Sequence, residues 1–157
     1  MRPYLDKTSP HSWTTGRAWS DAVLQDVTAA GLTEQENELI KVRASQLNGC
    51  AYCLDLHSRE AREAGVPQQK LDLLPAWRET DRYSEREEAV LAIAEAVTRL
   101  PLTEETEAEL IGARAVLGDA LFVAAEWVAV AINAFNRISI LSQHPVRPRD
   151  EEGNVIR

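Results

Sequence analysis

The sequence has few of the features that mark β structure. No stretch alternates apolar and polar residues over the length of a strand, and no Asn-Gly pair lies between two β-branched runs. Signals for the starts and ends of helices recur along the chain instead. We therefore expect an all-α protein. Because no Gly- or Ser-rich linker divides the sequence, we expect a single domain over residues 1–157.

The chain also lacks a dense block of lysine and arginine, and its formal net charge is −8. Charge of this sign disfavours nucleic acid and anionic membrane surfaces as partners. The first residues hold no apolar stretch of signal-peptide length, and no run reaches the roughly 18 uninterrupted apolar residues of a membrane span. We therefore expect a cytoplasmic protein that binds neither membranes nor nucleic acid.

Capping residues divide the chain into helices. Thr33 with Glu36, and Ser84 with Glu87, are capping-box patterns, and Gly31 is a typical helix end. A new helix is expected to open at Asn48 or Gly49, and Pro75 is expected to end a short one. The predicted helices are 12–30, 34–48, 48–65, 68–74, 85–100, one capped by Thr103, and 119–142.

The predicted last helix is the most apolar part of the sequence. Between Ala120 and Ile132 it carries one charge, Glu126. Such a helix must be buried on several sides. It is either a central core helix or a helix packed between subunits. We expect His144, beside a proline, to be solvated, and the tail after Pro148 to be loose or to lie on a neighbouring subunit.

The chain has only two cysteines, Cys50 and Cys53, three positions apart. In a cytosolic protein such a pair is more often catalytic or metal-binding than structural. On a helix they share one face with His57, and the helix N-terminus favours a thiolate. Helical i, i+3 residues have Cβ atoms ~5–6 Å apart against ~3.8 Å in a relaxed disulfide, which predicts a strained, reducible bond.

Glu38 lies twelve positions before Cys50, which on one straight helix is about 18 Å away. A chain reversal at Asn48-Gly49 changes this. It would place Glu38 about 16 Å along one helix from the turn and His57 about 12 Å along the next, so the two could face each other. The sequence therefore predicts a Cys-His-Glu relay.

Other interpretations of these residues remain open. The cysteines could be inert core thiols, since free cysteine is often buried. Cys50, Cys53, His57 and Glu38 could ligate zinc, although this is not a usual structural set. A thioredoxin-type motif would need a preceding strand, which the sequence does not indicate. We predict no metal and no cofactor.

The pattern E-x11-C-x-Y-C-x3-H, preceded by Asn-Gly, resembles the core motif of the carboxymuconolactone decarboxylase superfamily in its AhpD-like alkylhydroperoxidase branch. The resemblance covers Glu38 to His57, and the stretch from Asn133 to Arg137 is similar to the family's last helix. It implies an AhpD-like helical bundle in which an antiparallel helix pair carries the CxxC motif.

The resemblance also implies a chemistry. Cys53 would become a sulfenic acid on attacking an organic hydroperoxide, and Cys50 would donate a proton and close the disulfide. His57 and Glu38 would form the relay that draws the proton from Cys50. An external dithiol or protein reductant and a homotrimer or homohexamer are expected. The decarboxylase that names the superfamily lacks this cysteine pair, so its activity is disfavoured.

Two alternatives remain beside a peroxidase. One is a thiol-disulfide oxidoreductase that acts on a non-peroxide substrate. The other is a helical oligomer that uses the site for redox sensing or metal binding without turnover.

Overall fold

The computed structural model describes residues 2–150 and 153–156, and α-helices form most of this part of the chain. The helices are α1 (Leu5–Thr8), α2 (Pro10–Ala30), α3 (Glu34–Asn48), α4 (Ala51–Glu63), α5 (Gln68–Leu73), α6 (Glu85–Thr98) and α7 (Glu104–Ser142), with a 3-10 helix (Leu74–Glu79) after α5. Among the described residues the sole extended pairing is an isolated bridge between Arg149 and Val155. The prediction of an all-α fold is confirmed.

Local sequence explains where most helices start and stop. Thr33 and Ser84 each accept the backbone N–H of a glutamate three residues on, and that glutamate accepts the cap's own N–H. Gly31 ends α2 in the left-handed region with φ 87°. The short helix α5 ends at Leu73, just before Pro75 as predicted, and Pro75 lies in the first turn of the 3-10 helix that follows.

The start of α4 differs from the prediction. Gly49 takes φ 67° and ends α3, so the backbone at this residue cannot belong to the next helix. Helix α4 begins at Ala51, and Cys50 is its N-cap. The predicted break before Asp119 is present, since Gly118 (φ 74°, ψ 164°) interrupts α7 with non-helical backbone.

The core forms around α7 and α3. Helix α7 packs against α2, α3 and α6, and α3 also packs against α4 and α6. Two clusters of buried apolar side chains result: one joins α2, α3, α6 and α7, and the other lies between α3, α4, α6 and the segment 66–83. The face of α7 that carries Ala125 and Ala129 is completely buried, as expected for a core helix.

The opposite face of α7 is apolar and exposed. It carries Val116, Val123, Trp127 and Val130, each more than 40% exposed. By length and composition α7 could also cross a membrane, which the sequence analysis did not anticipate because it required an uninterrupted apolar run. Core helices of soluble proteins share this property. The buried face of α7 therefore agrees with a central core helix, and its exposed apolar face agrees with a helix packed between subunits.

The C-terminal tail is held against the body of the chain over its described part. The Arg149 guanidinium bonds both carboxylate oxygens of Asp55 on α4, at 3.3 and 3.0 Å. The expectation of a loose tail after Pro148 is thus wrong for Arg149. Residues 151, 152 and 157, to which the same expectation applies, lie outside the described residues.

Candidate active site

Asparagine side chains hold the turn between α3 and α4 in place. The Asn48 amide donates to the side-chain oxygens of Asn133 at 2.8 Å and Asn136 at 2.9 Å, both on α7. The Asn136 amide in turn donates to Ser45 Oγ at 3.0 Å. These buried bonds fix the position of the turn that precedes Cys50. The side chains of Asn133 and Asn136 therefore have hydrogen-bond partners within the protein.

Cys50 and Cys53 form a disulfide, with their Cα atoms 5.3 Å apart. Both residues are buried. Cys50 has extended backbone as the N-cap of α4, so the predicted helical i, i+3 arrangement is wrong for it. Its Sγ accepts the Cys53 backbone N–H at 3.3 Å. In the reduced protein, free amides at this helix end would favour the thiolate form of Cys50.

The turn brings Glu38 and His57 together across the two helices. Glu38 Oε2 lies 3.0 Å from His57 Nδ1. Further from the turn, Gln35 Nε2 donates to the Ala64 carbonyl at 3.2 Å. The earlier residue of α3 pairs with the later residue of the two partners, Gln35 with Ala64 and Glu38 with His57, so α3 and α4 run antiparallel. The geometric prediction from the Asn48-Gly49 reversal is therefore confirmed.

Two charged residues join this pair that the sequence analysis did not identify. Glu60 Oε2 lies 3.1 Å from His57 Nδ1, and Lys41 Nζ lies 2.7 Å from Glu38 Oε1. Each is three residues from its partner on the same helix. Such i, i+3 spacing was the available signal, but it occurs on most charged helices and indicates nothing by itself.

The two carboxylates control the protonation of His57. Burial disfavours the charged imidazole, but the hydrogen bonds to Glu38 and Glu60 outweigh burial and raise the pKa of His57 above its ordinary value. The hydrogen bond from His57 lowers the pKa of Glu60, against the opposing effect of its burial. A ring with this environment can take up a proton near neutral pH.

Glu38, His57 and Glu60 also have the donor types of a metal site. One ligand atom from each lies within 4.8 Å of the other two. This set differs from the zinc ligands considered as an alternative in the sequence analysis, because Glu60 takes part and both cysteines are in the disulfide. Lys41 already neutralises one oxygen of Glu38, and its charge opposes a cation there.

A cavity of about 600 Å³ lies beside the disulfide. Both Cys53 and His57 line it, as do aromatic residues of α2, α4 and α7, namely Trp13, Tyr52 and Phe135. His144 also lines it. The prediction of a solvated His144 is wrong, since its ring packs on Tyr4 and Tyr52 and its Nε2 lies 3.1 Å from Asp6. The cavity gives a small molecule access to the site.

Comparisons with known proteins agree with this geometry. The model of the carboxymuconolactone decarboxylase family matches residues 14–96, which include all of α3 and α4. The uncharacterized protein YdfG of Bacillus subtilis is 36% identical over 111 residues, covering 71% of this chain and 76% of YdfG.

A solved structure is similar over nearly the whole chain. It is the crystal structure of an Agrobacterium tumefaciens protein of unknown function, suggested to be the antioxidant defence protein AhpD. The match has a TM-score of 0.81 and 36% sequence identity, and it covers 93% of this chain and 99% of that one. The fold is therefore AhpD-like.

Proposed function

The chain belongs to the carboxymuconolactone decarboxylase family, and from this premise we propose that it is a thiol-dependent peroxidase that reduces organic hydroperoxides. Cys53 is the residue that attacks the peroxide and Cys50 is the one that resolves it. His57 and Glu38 move the protons. The AhpD-like fold and the disulfide-forming CxxC pair support this proposal.

The observation that carries the proposal is the position of the cavity relative to the two sulfurs. Cys53 lines the cavity and Cys50 is not among its lining residues. A substrate in the cavity therefore meets Cys53 first, and Cys50 lies behind it at the helix cap. His57 lines the same cavity, with Glu38 behind the ring at 3.0 Å. This is the order that a nucleophile, a resolving thiol and a proton relay require.

The reaction balances over these groups. The Cys53 thiolate attacks one peroxide oxygen, the O–O bond breaks, and the leaving alkoxide takes a proton to become the alcohol. Cys53 is now a sulfenic acid. Cys50, deprotonated through His57, attacks the Cys53 sulfur, and the departing hydroxide takes that proton and leaves as water. The peroxide has gained two electrons, and the two cysteine thiols have lost two electrons in forming the disulfide. An external dithiol then reduces this disulfide back to the two thiols.

Partners and location follow from the same proposal. The enzyme requires a small hydroperoxide and a dithiol or protein reductant, and it works in the cytoplasm, where such reductants are kept reduced. A homo-oligomer, a trimer or hexamer, is part of the proposal. The exposed apolar face of α7 supports it, because contiguous apolar surface of this kind marks protein interfaces.

Turnover of tert-butyl hydroperoxide with dithiothreitol as reductant tests the function. Cys53→Ser should abolish turnover, because no sulfur remains at the cavity. His57→Asn should lower it by roughly 100-fold, the usual size of a general acid-base effect. The matched control is His11→Asn, since His11 is exposed on α2 and does not line the cavity. Full turnover by Cys53→Ser would reject the proposal, and disulfide reduction without peroxide would indicate the thiol-disulfide oxidoreductase instead.

A further inference from the structure

The cavity beside Cys53 is far larger than a peroxide group requires. Its volume of about 600 Å³ falls in the range of roughly 300–1,000 Å³ that is usual for sites of drug-sized ligands. Apolar and aromatic side chains supply much of its wall, among them Trp13, Val23, Leu56, Ile132 and Phe135. Such a wall favours a substrate with an apolar body of several carbon atoms, because burial of that body is stabilising.

The charges around the cavity are unevenly compensated. Two of its cations have carboxylate partners: Lys41 pairs with Glu38, and Arg149 pairs with Asp55. Three others, which are Lys7, Arg17 and Arg147, make no ion pair within the described residues. All three are exposed, so they lie where the cavity meets solvent.

Aromatic rings hold two of these cations without neutralising them. Lys7 Nζ lies 4.6 Å from the centroid of the Tyr4 ring, and Arg17 Cζ lies 5.9 Å from that of Trp13. A cation on an aromatic face keeps its charge and most of its N–H donors. Both groups are therefore oriented and still able to bind an anion.

Two acidic residues oppose them. Asp21 lines the cavity and makes no ion pair in the described part of the chain. Asp6 also lines the cavity and lies 3.1 Å from His144 Nε2, which compensates its charge only when the ring is protonated. Three cations without a carboxylate partner thus face these two acids, although the whole chain carries −8. A positive opening on an acidic protein attracts anions to that place selectively.

We propose that the substrate of this site is an amphipathic organic hydroperoxide that bears a carboxylate. Its anionic end binds at Lys7, Arg17 and Arg147, its apolar body lies along the aromatic wall, and its hydroperoxide group reaches Cys53. This inference rests on the proposed peroxidase function. The reaction is the one given above, so the product is the corresponding hydroxy acid, water and the Cys50–Cys53 disulfide.

Turnover of a matched substrate pair tests the carboxylate. The probes are linoleic acid hydroperoxide and its methyl ester, with tert-butyl hydroperoxide as a small neutral reference. The double variant Arg17→Gln/Arg147→Gln should lower kcat/KM for the acid about tenfold, since each exposed charge contact contributes up to ~1 kcal/mol. The ratio of kcat/KM for the acid to that for the ester should fall by the same factor, because the ester has no carboxylate for these cations to bind. Asp21→Asn should act in the opposite direction and increase kcat/KM for the acid.

The control double variant Arg62→Gln/Arg82→Gln removes the same charge at exposed arginines that do not line the cavity. It should leave the preference for the acid intact. The preference should also fall with added salt, since exposed charges are screened. Equal kcat/KM for acid and ester in the wild type, or equal loss in both double variants, would overturn the inference while the peroxidase function stands.

A binding measurement separates the two proposals if no hydroperoxide is turned over. Calorimetric titration of the disulfide form with decanoate and with decanol uses the same cavity and involves no chemistry. Tighter binding of decanoate, lost in Arg17→Gln/Arg147→Gln, would support the anionic ligand class even if the peroxidase function fails. No difference between the two ligands would reject it.

Discussion

At the residue scale, the decisive contact is the one between two carboxylates and a single imidazole nitrogen. Glu38 and Glu60 lie 3.0 and 3.1 Å from His57 Nδ1. They are not equivalent. Glu38 is buried and has Lys41 as a second partner, whereas the Glu60 side chain is 38% exposed. A proton on Nδ1 satisfies the carboxylates and leaves Nε2 of the neutral ring as the base. In the proposed relay, Glu60 therefore assists Glu38, the single carboxylate that the sequence predicted for it.

The pKa shifts give a pH dependence. The pKa of His57 is raised above 6.5, so its contribution to stability is full below pH 6.5 and is lost as the pH rises through the folded value. The pKa of Glu60 is lowered below 4.5, so its contribution is present above pH 4.5 and is lost as the pH falls through the folded value. The contact should therefore stabilise the protein most between pH 4.5 and 6.5.

Glu60→Gln should lower the pKa of His57 towards 6.5 in an NMR titration of the disulfide form. It should also lower Tm more at pH 5.5 than at pH 9. The corresponding loss in the free energy of unfolding should be less than about 1 kcal/mol, because Glu60 is partly exposed. The matched variant Glu63→Gln, on the same helix and 62% exposed, should leave the pKa of His57 as it is. An unchanged pKa in Glu60→Gln would show that Glu38 alone holds the ring.

At this scale the sequence predicted Glu38 and His57 but not Glu60 or Lys41. The former pair follows from two helix lengths measured from one turn, which is a strong geometric constraint. The latter residues depend on which rotamers long side chains adopt. Nothing in an i, i+3 spacing distinguishes a partner in a site from a solvated charge.

At the element scale, Gly49 determines how α3 and α4 meet. It takes φ 67°, and an added Cβ would find no atom within 4 Å. Gly49→Ala should therefore destabilise through backbone strain alone, by about 1–2 kcal/mol. Gly16 also has open space around it but lies within helix α2 without a positive φ. Gly16→Ala should stabilise by about 0.5–1 kcal/mol. Urea unfolding of the two variants measures both changes in the free energy of unfolding. Destabilisation by Gly16→Ala would contradict this account.

Most helix ends could be predicted because capping residues leave a local signal. The start of α4 could not, because Asn48 and Gly49 are both favoured N-cap residues, whereas cysteine, the observed cap, is not among them. Tertiary bonds decide among them: Asn48 donates to α7, which leaves Cys50 as the cap. The difference of two or three residues matters, because the observed start at Ala51 leaves Cys50 outside the helix and places its sulfur at the free amides.

At the scale of the whole molecule, one surface of α7 stays largely exposed, although the Trp127 ring on it also contacts Trp19 of α2 edge to face. Its exposed apolar residues Val123, Trp127 and Val130 all follow the break at Gly118 and recur at spacings of four and three, as in a helix-packing seam. Wild-type protein should therefore self-associate in sedimentation velocity, and Val130→Glu should shift it to the monomer. The control Val146→Glu, 47% exposed and outside α7, should not change the assembly. A wild-type monomer at all concentrations would contradict the interface.

The cavity is the feature that sequence could least predict. Its walls come from α1, α2, α3, α4, α7 and from residues 144–149 and 155, which are far apart in the chain and carry no shared motif. His144 illustrates the reason. A histidine before proline suggests a solvated loop, yet contacts with Tyr4, Tyr52 and Asp6 from distant segments bury it. Such contacts exist only once the helices are assembled.

The central claim is that Cys53 is the sulfur that attacks the peroxide. The most direct test is mass spectrometry of reduced Cys50→Ser protein after a substoichiometric organic hydroperoxide and a sulfenic-acid trap, with Cys53→Ser treated alike. The account predicts trapped sulfenic acid at Cys53 in the first protein and none at Cys50 in the second. Trapping at Cys50 in Cys53→Ser, with Cys53 unmodified in Cys50→Ser, would contradict it.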